Sequence, residues 1–482
     1  MNPWTLPAVA AQQRALVDEE LQRDPWPAHF TALAEAVRAT HCPGAILEYG
    51  CASGYGREVL DRAGVPYRSY EGMDISAPAL AIAMERYPES RWVVEQATAP
   101  LGGRDIVVDG CSLIHRVDTW RADIAKMAAA SRRWLILHRL PVIEGGTADG
   151  EPWKEETHGY GQTFPALRFD NGAIVKLLRD LGFERVARVP VDRGPTVTDT
   201  YARVRRWATY FDRNYSTRAL AMWTSLQKDC PNVILHALCY DEESYALAQR
   251  AGMQGQKAEE FLASRKDLAL DSLPGPRRTR VEHMWTVGPA WLAALMEHTG
   301  EPVTYVDADV FFFSSPEPIF AEMGNATSAR IPHGFAYAWQ GLPGPTEKHL
   351  VFGRYNVGIV PLQDRAEATA WADRCKAWCY DRVEGEKYGD QKYLENLVGI
   401  EITHPGACLG PWAAWTRALD VRDGVVYFGN RPLIAYHMSA LKLDERGNMI
   451  QASRPEYQLT RRIVEMLYAP YLAALKETGA TE

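Results

Sequence analysis

Apolar and polar positions alternate along this chain in two rhythms, and their succession predicts its architecture. Ahead of about Cys42, "ALVDEELQRD" and "HFTALAEAVRAT" space their apolar residues at the helical period, predicting one or two amphipathic helices. Short apolar runs then alternate with helical stretches. "AILEYG" reads as a strand, "YGREVLDRAG" as a helix, "YRSYEGMDIS" as a strand and "APALAIAMERYP" as a helix. "RWVVEQ" and "DIVVDGC" are strands, "RADIAKMAAASR" a helix and "RWLILHRL" a strand. Such alternation implies a mostly parallel sheet covered on both faces, with ligands at the carboxyl ends of its strands. "RFDNGAIVKLLRDLGFERVARVPV" closes this region with a helix and a strand, and the polar "DRGPTVTDTYARVRR" reads as a linker. A second α/β beginning follows at "WATYFDRNYSTRALAMWTSLQKDCPNVILHALCYDEES". The expected boundary lies near Arg205, giving domains 1–205 and 206–482.

Composition narrows the setting. A chain of 482 residues suggests two or three domains with sizeable cores. No long uninterrupted apolar run predicts a transmembrane helix, and "MNPWTLPAVAAQQRALVDEE" lacks the basic start and apolar stretch of a signal peptide. The eight cysteines include no CxxC pair, and Cys375 and Cys379 read as helix packing, so a reducing, cytoplasmic setting fits best. A net charge of −8 without a basic tract argues against nucleic-acid binding and leaves local anion sites open.

The first strand ends in "EYGCASGYG", whose Gly50, Gly54 and Gly56 do not keep the GxGxxG spacing of a dinucleotide site. They still mark a strand-to-helix turn that something approaches closely. Asp74 ends the second strand, where an acid can accept hydrogen bonds from both ribose hydroxyls. "ILEYGCASGYG", "GMDIS" and "DIVVDGCSLIHRV" resemble the successive motifs of class I S-adenosylmethionine-dependent methyltransferases, over residues 40 to 195. That resemblance implies a Rossmann-like fold in which Glu48, Gly50 and Gly54 lie along the methionine part of S-adenosyl-L-methionine. It places Asp74 on the ribose, Ile75 on the adenine, and Gln96 and Ala97 near the adenine amino group. Ala52 stands where the family often has a central glycine, and Gln96 where it often has an acid. A hydroxyl acceptor needs a general base; His115 and His138, at the ends of the fourth and fifth strands, are the candidates. "HRLP" and "HGYGQTFPALRFD" resemble segments of bacterial methyltransferases associated with surface polysaccharides.

In the second half, "EHMWTVGPAWLAALMEHTG" predicts a long helix leading into "VTYVDADVFFF". Asp307 and Asp309 stand two apart in an otherwise apolar run, and in extended backbone they would point to one side. Two converging carboxylates suit Mg²⁺ or Mn²⁺, which can clamp a departing diphosphate. The stretch resembles the DxD motif of nucleotide-sugar glycosyltransferases with the GT-A fold, and three further segments are similar to glycogenin-like members. "GRYNVGIVPL" would bring Asn356 to the transferred sugar, "EKYGDQKYLE" would set Asp390 and Gln391 beside it, and "IAYHMSALK" would supply His437 as a third metal ligand. The resemblance covers residues 207 to 440 and favours retention at the anomeric carbon, with inversion open. Trp339, Trp412 and Trp415 could stack on acceptor sugars or serve as ordinary core.

The two resemblances together imply an α/β chain of two domains, a Rossmann-like class I methyltransferase fold followed by a GT-A glycosyltransferase fold. The implied partners are a nucleotide-diphosphate sugar donor and a glycan or lipid-linked glycan acceptor, such as a bacterial O-antigen or capsule. No basic amphipathic helix commits the chain to a membrane surface, so peripheral association stays open. The alternative is a glycosyltransferase whose first domain binds a cofactor or partner without chemistry.

Overall fold

The structure, a computed structural model, describes residues 2–40, 43–95, 103–143, 150–191, 194–230, 232–324, 326–334, 353–379, 389–413, 419–422, 424–444, 447–454, 457 and 459–479. It divides into two compact units, Met1–Val204 and Arg205–Glu482.

In unit 1, helices α1 (Pro7–Glu20) and α2 (Ala28–Arg38) precede β1 (Ala45–Tyr49), α3 (Tyr55–Arg62), β2 (Ser69–Asp74), α4 (Ala77–Arg86), β3 (Arg91–Val94) and β4 (Arg104–Asp109). Then come α5 (Trp120–Ala130), β5 (Ser131–Ile143), the hairpin β6 (Trp153–Gly159) and β7 (Gln162–Asp170), α6 (Asn171–Asp180), β8 (Phe183–Pro190) and β9 (Thr196–Arg203). The strands join in the order β3-β2-β1-β4-β5, all parallel. Successive residues of each strand enter opposite cores. Ile46, Ile106 and Ile136 pack among α2, α3 and α4, whereas Leu47, Val107 and Leu135 pack among α5 and α6. Both faces are therefore covered, as the near-continuous apolar strands require. The carboxyl half of β5 forks, because Trp134 to Pro141 pair with β9 while Val142 and Ile143 pair with β7.

The stretch expected to be a linker is β9, which runs antiparallel between β5 and β8 inside the sheet. Two of its buried polar residues, Thr198 and Asp199, find partners on neighbouring strands rather than in solvent. Thr198 bonds His138 Nδ1 at 2.9 Å, and the buried Asp199 accepts from Arg188 at 2.7 Å through both carboxylate oxygens. A strand whose buried polar groups pair with residues far away in sequence looks like a solvated loop when read locally.

Unit 2 opens with β10 (Arg205–Phe211), α7 (Ser216–Asp229), β11 (Val233–Cys239), α8 (Glu242–Arg250), β12 (Gln254–Lys257), α9 (Ala258–Ser264) and α10 (Arg280–Thr299). It continues through β13 (Val303–Val306), β14 (Val310–Phe312), β15 (Ala329–Pro332), β16 (Tyr355–Asn356) and β17 (Ile359–Leu362). Its main sheet has the order β12-β11-β10-β13-β17, parallel except for the antiparallel β13–β17 pair. Again the two faces are both buried: Trp207 and Val306 enter one core, and Ala208 and Tyr305 the other. The helix α10 starts from a capping box between Thr279 and Glu282, and its Gly288 leaves room for the Tyr210 ring. Among the described residues no helix is long and apolar enough to cross a membrane.

Because Asp199 neutralises Arg188 and Arg185 at a site with 1% of its side chain exposed, Asp199→Ala strands two cations at the sheet edge. The expected cost is about 2–4 kcal/mol, read as a lower urea midpoint for unit 1. A change below about 0.5 kcal/mol, the range of ordinary surface substitutions, would mean that β9 is peripheral to the sheet.

Candidate functional site

The strand β13 ends at Val306, and residues 307–309 form a tight turn closed by Val310 N–H donating to Asp307 O at 3.1 Å. Asp307 and Asp309 thus converge through a turn, not through the alternation of an extended strand. Immediately after it, β14 pairs antiparallel with the short strand Ala435–His437, with Val310 opposite His437. That pairing carries His437 from far downstream to the two carboxylates. Its Nε2 lies 3.1 Å from Asp309 Oδ1 and 3.5 Å from Asp307 Oδ2. One ligand atom from each of the three residues lies within 4.8 Å of the others. Two carboxylate oxygens and an imidazole nitrogen suit Mn²⁺ or Mg²⁺, and the donor set fits that group. Without a cation the imidazole supplies the countercharge. Burial works against its protonation, but Asp309 and Asp307 outweigh burial and push His437 up to about 9.

Asn356 is buried, and it is absent from the residues lining the adjoining cavity, whereas the resemblance set it on a transferred sugar. Its Oδ1 lies 3.2 Å from His437 Nδ1 and accepts the Gly358 N–H at 2.9 Å, while its Nδ2 donates to Cys408 O at 3.1 Å. It therefore orients the imidazole so that Nε2 faces the carboxylates. The cavity itself measures about 450 Å³ and includes Asp307, Asp309, His437, Asp390 and Gln391. Asp390 is pushed up to about 7, by burial first and then by the charge of Asp307. The phenol of Tyr210 lies 3.4 Å from Asp390 Oδ2, and that of Tyr305 donates to Asp307 Oδ1; the two rings stack with centroids 5.5 Å apart. Sequence reasoning missed this tyrosine pair, along with Tyr215 and Trp285 on the same cavity. The available signal was the position of Tyr210 and Tyr305 near strand ends, of Tyr215 in the turn after β10 and of Trp285 on the long helix. Trp412 lies in the core, its ring 5.6 Å from the His437 ring and outside the cavity lining. Trp339 and Trp415 fall outside the described residues.

Unit 1 has a cavity of about 740 Å³ at the carboxyl ends of β1, β2 and β4. Gly50, Ala52, Asp74, Ile75 and His115 line it; Glu48, Gly54 and His138 do not. The turn after β1 runs through left-handed backbone at Gly50, Ala52 and Gly54, with φ of 77°, 48° and 77°. Ala52 holds that conformation at a steric cost, and its N–H donates to Asp74 Oδ2 at 2.8 Å. Ser76 N–H donates to the other Asp74 oxygen, also at 2.8 Å. A carboxylate accepts about four hydrogen bonds, so Asp74 keeps capacity for two ribose hydroxyls beside the apolar Ile75. The residues fit an adenosine-bearing cofactor. Glu48 sits behind the turn, against the backbones of Gly56 and Gly110, and accepts from Tyr70. Burial pushes it up to about 8. Gly54 owes its missing side chain to Trp92, which a Cβ would meet at 2.7 Å. Gln96 and Ala97 fall outside the described residues.

The two histidine candidates separate clearly. His138 is fully buried, bonded to Thr198, and held neutral by burial. It belongs to the core because its ring turns toward β9, where Thr198 takes its Nδ1. His115 lies on the cavity, and its Nδ1 lies 2.8 Å from the Pro165 carbonyl, which fixes the proton there. Nε2 is left as an acceptor, and burial lowers the pKa, so the imidazole is neutral near pH 7.

No protein-family profile matches the chain. An uncharacterised protein of Bacillus subtilis strain 168, YfnD, is 29% identical over 285 residues, covering 56% of this chain and 88% of the relative. Another uncharacterised protein of that strain, YfnF, is 26% identical over 254 residues, covering 49% of this chain and 82% of the relative. Among solved structures, the magnesium protoporphyrin IX methyltransferase of Synechocystis with bound S-adenosylhomocysteine matches 36% of this chain and 84% of its own, at 19% identity and a TM-score of 0.29. CalS10, an amino pentose methyltransferase of Micromonospora echinaspora with bound S-adenosylmethionine, matches 37% and 92% at 17% identity and a TM-score of 0.29.

Calorimetric titration with Mn²⁺ checks the unit 2 site. Asp309→Asn and His437→Ala each remove a donor and should weaken binding at least tenfold; Asn356→Ala should weaken it about tenfold by freeing the imidazole. Equal affinity in Asp309→Asn would exclude this cluster as the ion's site.

Proposed function

We propose that the chain is a two-activity transferase acting on a glycan of the bacterial cell surface. Unit 2 transfers a sugar from a nucleotide-diphosphate donor, and unit 1 transfers a methyl group from S-adenosylmethionine to a sugar hydroxyl. The observation that carries the reading is the convergence of Asp307, Asp309 and His437 at the carboxyl end of a strand, inside a cavity that also holds Asp390 and Gln391.

In unit 2, Asp307, Asp309 and the Asn356-oriented His437 would hold the divalent cation. When bound, that ion neutralises the charge collecting on the departing diphosphate. Asp390 and Gln391 face the same space and are suited to the transferred sugar, and the Tyr210–Tyr305 pair fixes Asp390 and Asp307 in place. In unit 1, Asp74 and Ile75 seat the nucleoside end of S-adenosylmethionine, which supplies an electrophilic methyl group. His115 Nε2 would take the proton of the acceptor hydroxyl as that oxygen receives the methyl group, the donor leaving as S-adenosylhomocysteine. The neutral imidazole, fixed through Nδ1 by Pro165, has the protonation state and orientation that a general base needs. Carrying both activities on one chain raises the concentration of each site around a shared glycan end.

Two measurements check the reading. Against a panel of nucleotide sugars, the intact chain should release nucleoside diphosphate in the presence of Mn²⁺ and lose that release with excess chelator or in Asp307→Asn; release that persists with chelator would refute the metal-dependent transfer. For methyl transfer, His115→Ala should lower kcat about 100-fold or more with the affinity for S-adenosylhomocysteine kept. Because the active base is the neutral form and its pKa is lowered from 6.5, the acid limb of the wild-type pH–rate profile should have its half-point below pH 6.5. A half-point above pH 7 would assign the base to another group.

A further inference from the structure

The pairing of β5 with β9 slips register between Leu137 and Leu140, and Arg139, inside the slip, takes a left-handed φ of 57°. Leu137, His138 and Leu140 are all fully buried, at 0% exposure. Of these four successive residues, Arg139 alone leaves the core, and it lines the unit 1 cavity together with His115 and Asp74. Bulges of this kind re-aim a single side chain beside a site, and a non-glycine residue held at positive φ costs stability that the surrounding fold must supply.

Among the described residues the guanidinium so delivered has no partner. Among the described residues no hydrogen bond and no ion pair reaches it, whereas the other arginine of the cavity, Arg116, is held by Glu95. Around Arg139 stand Cys111, Tyr55, Tyr160, His29, His138 and Glu20. Glu20 is the only carboxylate of that set; it lies 3.6 Å from His29 Nε2 and forms no ion pair with Arg139. An enclosed arginine without a counterion is costly unless a ligand brings the negative charge. Its planar fork matches a carboxylate or a phosphate.

We propose that Arg139 is the anion-recognition residue of the unit 1 cavity, seating a carboxylate or phosphate carried by one of the two molecules that react there. The proposal rests on the methyl-transfer reading of unit 1 for the identity of those molecules. Two sources share the chemistry. One is the amino-acid carboxylate of S-adenosylmethionine. The other is an acidic group on the acceptor sugar, whose ring would meet the aromatic wall of Trp4, Tyr160 and Phe164; there Trp4 and Phe164 stack with centroids 4.1 Å apart.

The test uses the full chain as wild type, Arg139→Gln and Arg139→Lys, with thermal melts confirming that each variant is folded. Calorimetry compares S-adenosylhomocysteine with 5′-methylthioadenosine, which keeps the nucleoside and the thioether but lacks the carboxylate. Nuclear magnetic resonance titration compares D-glucuronate with D-glucose, and adds inorganic phosphate. If the anion belongs to the cofactor, Arg139→Gln loses at least tenfold in affinity for S-adenosylhomocysteine and none for methylthioadenosine. If it belongs to the acceptor, the loss falls on glucuronate or phosphate and spares both nucleosides. In either case Arg139→Lys retains part of the affinity. Should the wild type bind neither nucleoside, the methyl-transfer reading fails, and binding of glucuronate or phosphate that depends on Arg139 would still support the anion site. The proposal is overturned if Arg139→Gln matches the wild type for every probe, or weakens charged and uncharged probes alike.

Discussion

Two carboxylates buried beside one another cannot both stay charged without a cation between them, and the architecture of unit 2 is arranged around that requirement. Asp309 is 8% exposed and Asp307 only partly so, in a segment otherwise dominated by Val, Tyr and Phe. Such a pair persists in a folded protein only when something positive is fixed in reach. The chain meets the need with His437, and four features hold it in place: the β14 pairing, the Met438 N–H on Asp309 O at 2.9 Å, the Asp307 N–H on Gly358 O at 3.0 Å, and the Asn356 amide behind the imidazole. Residues from three separate stretches of sequence serve one cluster. That investment exceeds what a structural ion pair needs, since a well-packed apolar replacement would be no less stable.

Unit 1 shows the same economy in another form. Its backbone strain falls where ligands would lie, at Ala52 in the left-handed turn after β1 and at Arg139 in the slip of β5. The backbone N–H groups of Ala52 and Ser76 hold Asp74 at the cavity while leaving acceptor capacity unused. Glu48, buried and pushed up to about 8, supports the turn from behind.

Elements with strong periodicity were legible in the sequence. The helices of "APALAIAMERYP" and "EHMWTVGPAWLAALMEHTG", and the strands of "AILEYG" and "VTYV", stand where their patterns put them, because burial on one stripe or on both faces dictates those patterns. The residues nearest each cavity were also legible: Asp74, His115, Asp307, Asp309, Asp390 and His437 all line one. What local reading missed depends on long-range pairing. The strand β9 looked like a linker because its Asp199 and Thr198 find partners only in the folded sheet. Asn356 looked like a ligand residue because nothing local reveals that its amide serves His437 and Cys408. His138 and His115 could not be told apart until the fold buried one and left the other on the cavity. Arg139 carried no signal, since a bulge is invisible in a strand pattern.

The central claim is that Asp307, Asp309 and His437 form one divalent-cation centre. A crystal grown or soaked with Mn²⁺ tests it most directly, through an anomalous difference map at the manganese edge. The account predicts one strong peak within about 2.0–2.3 Å of a carboxylate oxygen of each aspartate and of His437 Nε2, with Nδ1 still on Asn356. A peak elsewhere in the chain, or none while the imidazole remains between the two carboxylates, would contradict it.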